Sequence, residues 1–149
     1  MIGKKIFIVE DDMIIQMFIE RILNNLGLEV IGEARSGDEI LDFLETTEQP
    51  DFILMDIGLA GDKDGIETAQ IINSNYNIPI IFLTGNSDKS TLERAQKTNP
   101  IGFINKPIDE ISLKSVMQRY FEETKYLYLA SKLYWIPQSC RGFGTNSQS

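Results

Sequence analysis

The chain has 149 residues, 42% of them hydrophobic, enough for one ordinary domain with a core, and its 14 Lys and Arg against 22 Asp and Glu leave a net charge of −8 that would repel a nucleic-acid backbone. It has no histidine, which excludes histidine-ligated zinc, Ser-His-Asp catalysis and a phosphohistidine donor, and its single Cys140 excludes an intrachain disulfide or a cysteine metal cluster. The apolar run after Lys4 and Lys5 stops at Val9, too short for a secretory signal, and no run approaches the roughly 18 apolar residues of a membrane span, so a cytoplasmic protein without membrane contact is expected.

Lys5 to Val9 reads as a first strand, closed by Glu10, Asp11 and Asp12. Asp12 is placed to cap a helix in which Ile15, Phe18, Ile19, Ile22 and Leu26 recur at helical spacing as far as Gly27. Leu28 to Ala34 reads as a second strand, and Ser36 with Glu39 carries the Ser-x-x-Glu pattern of a capping box for a helix to about Thr46. The unbroken apolar run Phe52 to Met55 suits a central parallel strand covered by helices on both faces, and Asp56 stands at its end. A glycine-rich loop from Gly58 to Gly65 leads to a helix from Ile66 to about Asn73, and Pro79 opens a strand over Ile80 to Leu83, followed by Thr84. Ser87 and Asp88 can cap a polar helix to about Thr98. Ile101 to Ile104 forms a short strand before Lys106 and Pro107, and Asp109 starts a last helix through Ile111, Leu113, Val116, Met117 and Tyr120. Strand and helix alternating at this spacing predict an α/β fold, a doubly wound five-stranded parallel sheet with right-handed crossovers.

Residues 1–125 are expected to form this domain and residues 126–149 a C-terminal tail, helical at first and then disordered. The tail packs Tyr126, Leu127, Tyr128, Leu129, Leu133, Tyr134, Trp135 and Ile136 ahead of Pro137, and is too short to fold alone or to serve as an appended output module. Burial of its aromatic side chains against their own domain is the favoured expectation. The alternative is a homodimer or partner contact through Tyr128, Leu129, Tyr134 and Trp135.

In a parallel sheet the carboxyl ends of the strands share one edge, where open α/β folds bind ligands. That edge gathers Glu10, Asp11, Asp56, Thr84 and Lys106. The three acids offer hard oxygen ligands to Mg2+ or Mn2+, and carboxylates packed together repel one another unless a cation intervenes. With a metal bound, Asp56 can act as a nucleophile toward phosphorus, Lys106 can neutralise one phosphoryl oxygen and Thr84 can donate a hydrogen bond to another. Each residue alone has a plainer explanation: an acidic run is usually solvated or caps a helix, Thr84 ends a strand, Lys106 is a surface charge and Phe103 a core aromatic. Their joint placement favours the site.

Ile8-Val9-Glu10-Asp11-Asp12, Ile53-Leu54-Met55-Asp56-Ile57, Phe82-Leu83-Thr84-Gly85 and Phe103-Ile104-Asn105-Lys106-Pro107 resemble, in order and spacing, the motifs of response regulator receiver domains. The resemblance covers about residues 4–122. It implies a (βα)5 flavodoxin-like receiver fold, with Asp56 as phospho-acceptor and Glu10 and Asp11 as the acidic pair around Mg2+. It further implies that the backbone carbonyl of Gly58 is a metal ligand, and that Thr84 and Lys106 are the switch hydroxyl and the phosphate-binding ammonium. In the family the switch is coupled to the aromatic three positions before the lysine, here Phe103, which has no hydroxyl to offer a partner. Gly58 and Asn86 stand where the family tunes phosphoryl lifetime. The loop from Leu59 to Gly65 is one residue longer than the commonest version, with Ala60 where proline is frequent.

The resemblance therefore implies a stand-alone regulator that takes a phosphoryl group from a sensor histidine kinase or phosphotransfer protein and binds a downstream protein target. Such a phospho-acceptor catalyses only its own phosphorylation and dephosphorylation. A phosphorylation-independent adaptor is the binding alternative. A phosphatase of the haloacid dehalogenase type is the enzyme alternative, but Glu10-Asp11-Asp12-Met13-Ile14 does not supply that class's Asp-x-Asp-x-Thr/Val signature. Flavin binding is disfavoured because the same acids would repel its phosphate.

Overall fold

Unbroken runs of β-branched and large apolar residues make β1 (Lys5–Val9), β3 (Phe52–Asp56) and β4 (Ile80–Thr84), and these take the middle of one five-stranded sheet, in which β2 (Glu29–Ala34) and β5 (Gly102–Asn105) are the edges. The order is β2-β1-β3-β4-β5 and every neighbouring pair is parallel. The fold is known from a computed structural model that describes residues 2–46, 48–85 and 87–133, with backbone only at 123–128, 131 and 133. Asn86 and the stretch from Gln138 to Ser149, expected to be disordered, lie outside the described residues.

Helices α1 (Met13–Asn25), α2 (Gly37–Leu44), α3 (Gly65–Asn75), α4 (Lys89–Gln96) and α5 (Glu110–Leu133) follow the strands in turn. Alternate side chains of the central strands feed two cores. Ile6, Ile8, Leu54 and Leu83 pack with Ile19, Leu23, Leu113 and Met117 of α1 and α5. Phe7, Val9, Met55 and Phe82 pack with Ile40, Ile66, Ile72 and Ala95 of α2, α3 and α4. Burying such a side chain stabilises by roughly 1.5–3 kcal/mol, which explains why the central strands tolerate almost no polar residue before their last position.

The local signals act mostly as the sequence predicts. Asp12 caps α1 by accepting from the amides of Ile14 and Ile15, and Gly27 turns the chain after it with φ +83. Ser36 accepts from Glu39 N at 3.2 Å, but the Glu39 carboxylate returns to Arg35 N at 2.8 Å, one residue before the expected partner. A reciprocal capping box forms instead at Asp64 and Glu67, starting α3. At Gly65 a Cβ would collide with the carbonyl of Asp56, so only glycine lets α3 begin against the end of β3.

Two residues expected on the inner faces of helices need correction. Phe18 and Ile111 are exposed, and the buried face of α1 is made by Gln16, Ile19, Ile22 and Leu23, so that Phe18 falls on the solvent side. α5 crosses residue 125 without a break, and its last described core contacts are Tyr120 and Phe121, edge-on to Phe52 at centroid distances of 5.7 and 5.3 Å. Leu129 is 44% exposed, and the side chains of Tyr126 and Tyr128, on which the favoured reading of the tail rests, lie outside the described residues. Tyr134 and Trp135 lie outside the described residues.

Candidate functional site

The chain leaves β1 for one edge strand, β2, and returns to β3 on the other side of β1, so the sheet reverses direction between β1 and β3. A crevice opens at such a reversal beyond the carboxyl ends of the strands. Glu10 and Asp11 enter it from β1 and Asp56 from β3. Backbone bonds pin these strand ends: Glu10 N donates to Ala34 O at 3.0 Å, Ile57 N to Leu83 O at 2.9 Å and Lys106 N to Thr84 O at 2.8 Å.

Each of the three carboxylates offers an oxygen, all within 4.8 Å of one another. Glu10, 1% exposed, accepts from Asp12 N at Oε2, while its buried Oε1 faces the Lys106 ammonium. Asp11 Oδ2 accepts from Ala60 N at 3.3 Å, which ties the loop after β3 to the acidic turn after β1. Asp56 Oδ1 accepts from Gly58 N at 3.1 Å. Lys106 extends its ammonium between two of the acids, 3.0 Å from Glu10 Oε1 and 3.3 Å from Asp56 Oδ2. The Lys106–Pro107 peptide is cis.

The electrostatics follow from this packing. Burial, reinforced by the nearby Asp56 charge, pushes Glu10 up to about 7 against the opposing pull of Lys106. Burial alone would lower Lys106, but the Glu10 carboxylate and the Asp56 charge outweigh it and hold the ammonium above its ordinary value. A hard dication suits this donor set: the ligands are all oxygen, they lie within 4.8 Å of one another, and the three acids are compensated by one ammonium.

Glu10, Asp11, Asp56 and Lys106 thus share one pocket. Thr84 ends the adjacent strand with its hydroxyl hydrogen-bonded to that of Ser87. Phe103 lies apart, on β5, its ring stacked on Phe82 with centroids 5.9 Å apart. Gly58 meets Asp56 through its N–H. Two polar residues outside the motifs also bear on the pocket, Ser87 through Thr84 and Gln16 through the backbone of Glu10. Gln16 is visible in the sequence as a polar residue at i, i+3, i+7 spacing with Ile19 and Leu23 on an apolar stripe. Ser87 carries no comparable signal, since serine before Asp88 reads equally well as a helix cap.

A family model described as the response regulator receiver domain matches residues 6–118. The transcriptional regulatory protein PdtaR of Mycobacterium tuberculosis is 32% identical over 106 residues, covering 71% of this chain and 51% of that protein. The phyllosphere-induced regulator PhyR of Methylorubrum extorquens is 27% identical over 122 residues, 80% of this chain and 45% of that protein. The chain therefore spans about half the length of these relatives. Among solved structures, the signal receiver domain of a modulated diguanylate cyclase from Desulfovibrio desulfuricans superposes with a TM-score of 0.76 at 32% identity, covering 83% of this chain and 98% of that one. The receiver domain of the sensor histidine kinase PA1611 from Pseudomonas aeruginosa gives 0.69 at 29% identity over 78% and 96%, and that structure has a magnesium ion coordinated in its active site cleft.

Proposed function

This chain belongs to the response regulator receiver family of two-component signalling, and from that membership we propose that Asp56 accepts a phosphoryl group from a sensor histidine kinase or phosphotransfer protein and that the change is read by a downstream protein. Receivers in general are signalling phospho-acceptors rather than true enzymes. The observation that carries the reading is the convergence of Glu10, Asp11, Asp56 and Lys106 in one crevice at the reversal of strand order.

Glu10, Asp11 and Asp56, with the backbone carbonyl of Gly58 that the family uses, would hold Mg2+ or Mn2+. When bound, the ion supplies positive charge that offsets the acids and the incoming phosphoryl oxygens. An Asp56 carboxylate oxygen forms the new bond to phosphorus while the bond from phosphorus to the donor imidazole nitrogen breaks, the electron pair leaving with the imidazole. Lys106, kept charged by its two acidic neighbours, neutralises one phosphoryl oxygen. The Thr84 hydroxyl exchanges Ser87 for a second phosphoryl oxygen. The added charge biases a two-state element in which Thr84 moves and the ring of Phe103, which has no hydroxyl and is stacked on Phe82, turns inward. Water later hydrolyses the acyl phosphate and resets Asp56.

Among the described residues no helix is long and apolar enough to cross a membrane, and a cytoplasmic location is part of this proposal. The test is intact mass after incubation with acetyl phosphate, with and without Mg2+. Wild type gains about 80 Da, one phosphoryl group, only with Mg2+, and Asp56→Asn gains nothing. Equal labelling of Asp56→Asn would sink the assignment of the acceptor.

A further inference from the structure

We infer that Gln16, a residue outside the four motifs, is a positioning residue for the acidic pocket: its buried amide clamps the backbone of Glu10 and thereby fixes where the most buried carboxylate of the site stands. The inference rests on the reading of that pocket as the divalent-cation site of a phospho-acceptor.

Gln16 is 7% exposed and lies on the inner stripe of α1, where Ile19 and Leu23 show that an apolar side chain would satisfy burial. A buried carboxamide is costly unless its donors are used. Here Nε2 donates to two carbonyls, Glu10 O and Ala34 O, both at 3.2 Å. Ala34 O also receives Glu10 N at 3.0 Å. The peptide groups on both sides of the Glu10 Cα are therefore tied to one point at the end of β2, the amide directly and the carbonyl through Gln16.

That double tie matters because Glu10 is where the chain turns out of the sheet. The direction of its Cα to Cβ bond decides whether the carboxylate reaches Lys106 and the neighbourhood of Asp56, and the same turn aims Asp11. On the far side of the turn, Asp12 is already fixed by capping α1. Gln16 fixes the near side. Removing its amide frees the Glu10 carbonyl while leaving every proposed metal ligand in the chain.

The test compares Gln16→Met, which keeps length and apolar bulk without a donor, with Gln16→Ala, and with Ile19→Val as a core control on the same helix that has no polar side chain to hold Glu10. Mg2+ affinity is measured by calorimetric titration at a temperature where circular dichroism shows each protein fully folded. Hydrogen exchange at the Glu10 and Asp12 amides is measured without metal. Loss of one backbone hydrogen bond predicts roughly fivefold weaker Mg2+ binding by Gln16→Met and faster exchange at both amides, with Ile19→Val changing neither. Wild-type affinity and wild-type exchange in Gln16→Met or Gln16→Ala would overturn the inference, as would an equal loss in Ile19→Val. If wild type itself binds no Mg2+, the reading of the pocket fails, and the exchange at Glu10 still decides whether Gln16 positions it.

Discussion

At the scale of single residues, the pocket is a set of acids held close at a cost. Glu10 titrates near 7 in the fold against an ordinary 4.5, because burial and the Asp56 charge oppose its ionisation. Its contribution to stability is full below about 4.5 and is lost as the pH rises through about 7, since the folded protein holds a proton there that the unfolded chain has released. The metal-free protein should therefore lose thermal stability between about pH 5 and pH 8, by an amount on the order of 3 kcal/mol at most. Glu10→Gln should flatten that slope, and saturating Mg2+ should restore wild type but not the variant; melting temperatures across this range in chelator and in Mg2+ check both. Thr84 and Ser87 teach a different lesson. A hydroxyl pair three residues apart is legible as two separate habits, strand end and helix cap, and only the folded turn brings the hydroxyls together.

At the scale of elements, Gly65 is the point where α3 meets the strand that carries Asp56. A Cβ there would overlap the Asp56 carbonyl and approach Ile57, backbone atoms that cannot yield as a flexible side chain does. Gly65→Ala is expected to destabilise by about 2–3 kcal/mol and to slow phosphorylation of Asp56, measured by denaturant midpoint and by labelling rate. The strands were readable because their apolar runs are bounded by polar punctuation, and the site because its polar residues follow those runs directly. The inner face of α1 was readable only in part. Of the expected stripe Ile19 and Ile22 are buried and Ile15 and Leu26 pack against the core, whereas Phe18 is exposed and the glutamine disguised the place of Gln16 on the inner face. The helix start at Asp64 carried a readable Asp-x-x-Glu signal, whereas the partner taken by Glu39 depended on the path of the loop before it.

At the scale of the whole molecule, the parallel sheet and its two cores end, for the described side chains, where Tyr120 and Phe121 meet Phe52. A chain stopped after residue 125 should accordingly keep its fold, with a melting temperature within a few degrees of the full chain and unchanged labelling of Asp56; a collapse in stability would show that the rest of α5 belongs to the core. The charge arrangement has a wider consequence. The protein carries a net charge of −8, and with all three acids ionised its pocket sums to −3 from Glu10, Asp11 and Asp56 and +1 from Lys106, or −2. A dication brings that sum to zero. Under the proposed function, the ion then acts as an admission condition: an anionic phosphoryl donor approaching the metal-free pocket meets repulsion, while one approaching the filled pocket meets local neutrality within a strongly negative surface. Divalent-ion occupancy would thus decide when the site can be addressed, before any partner's shape is consulted.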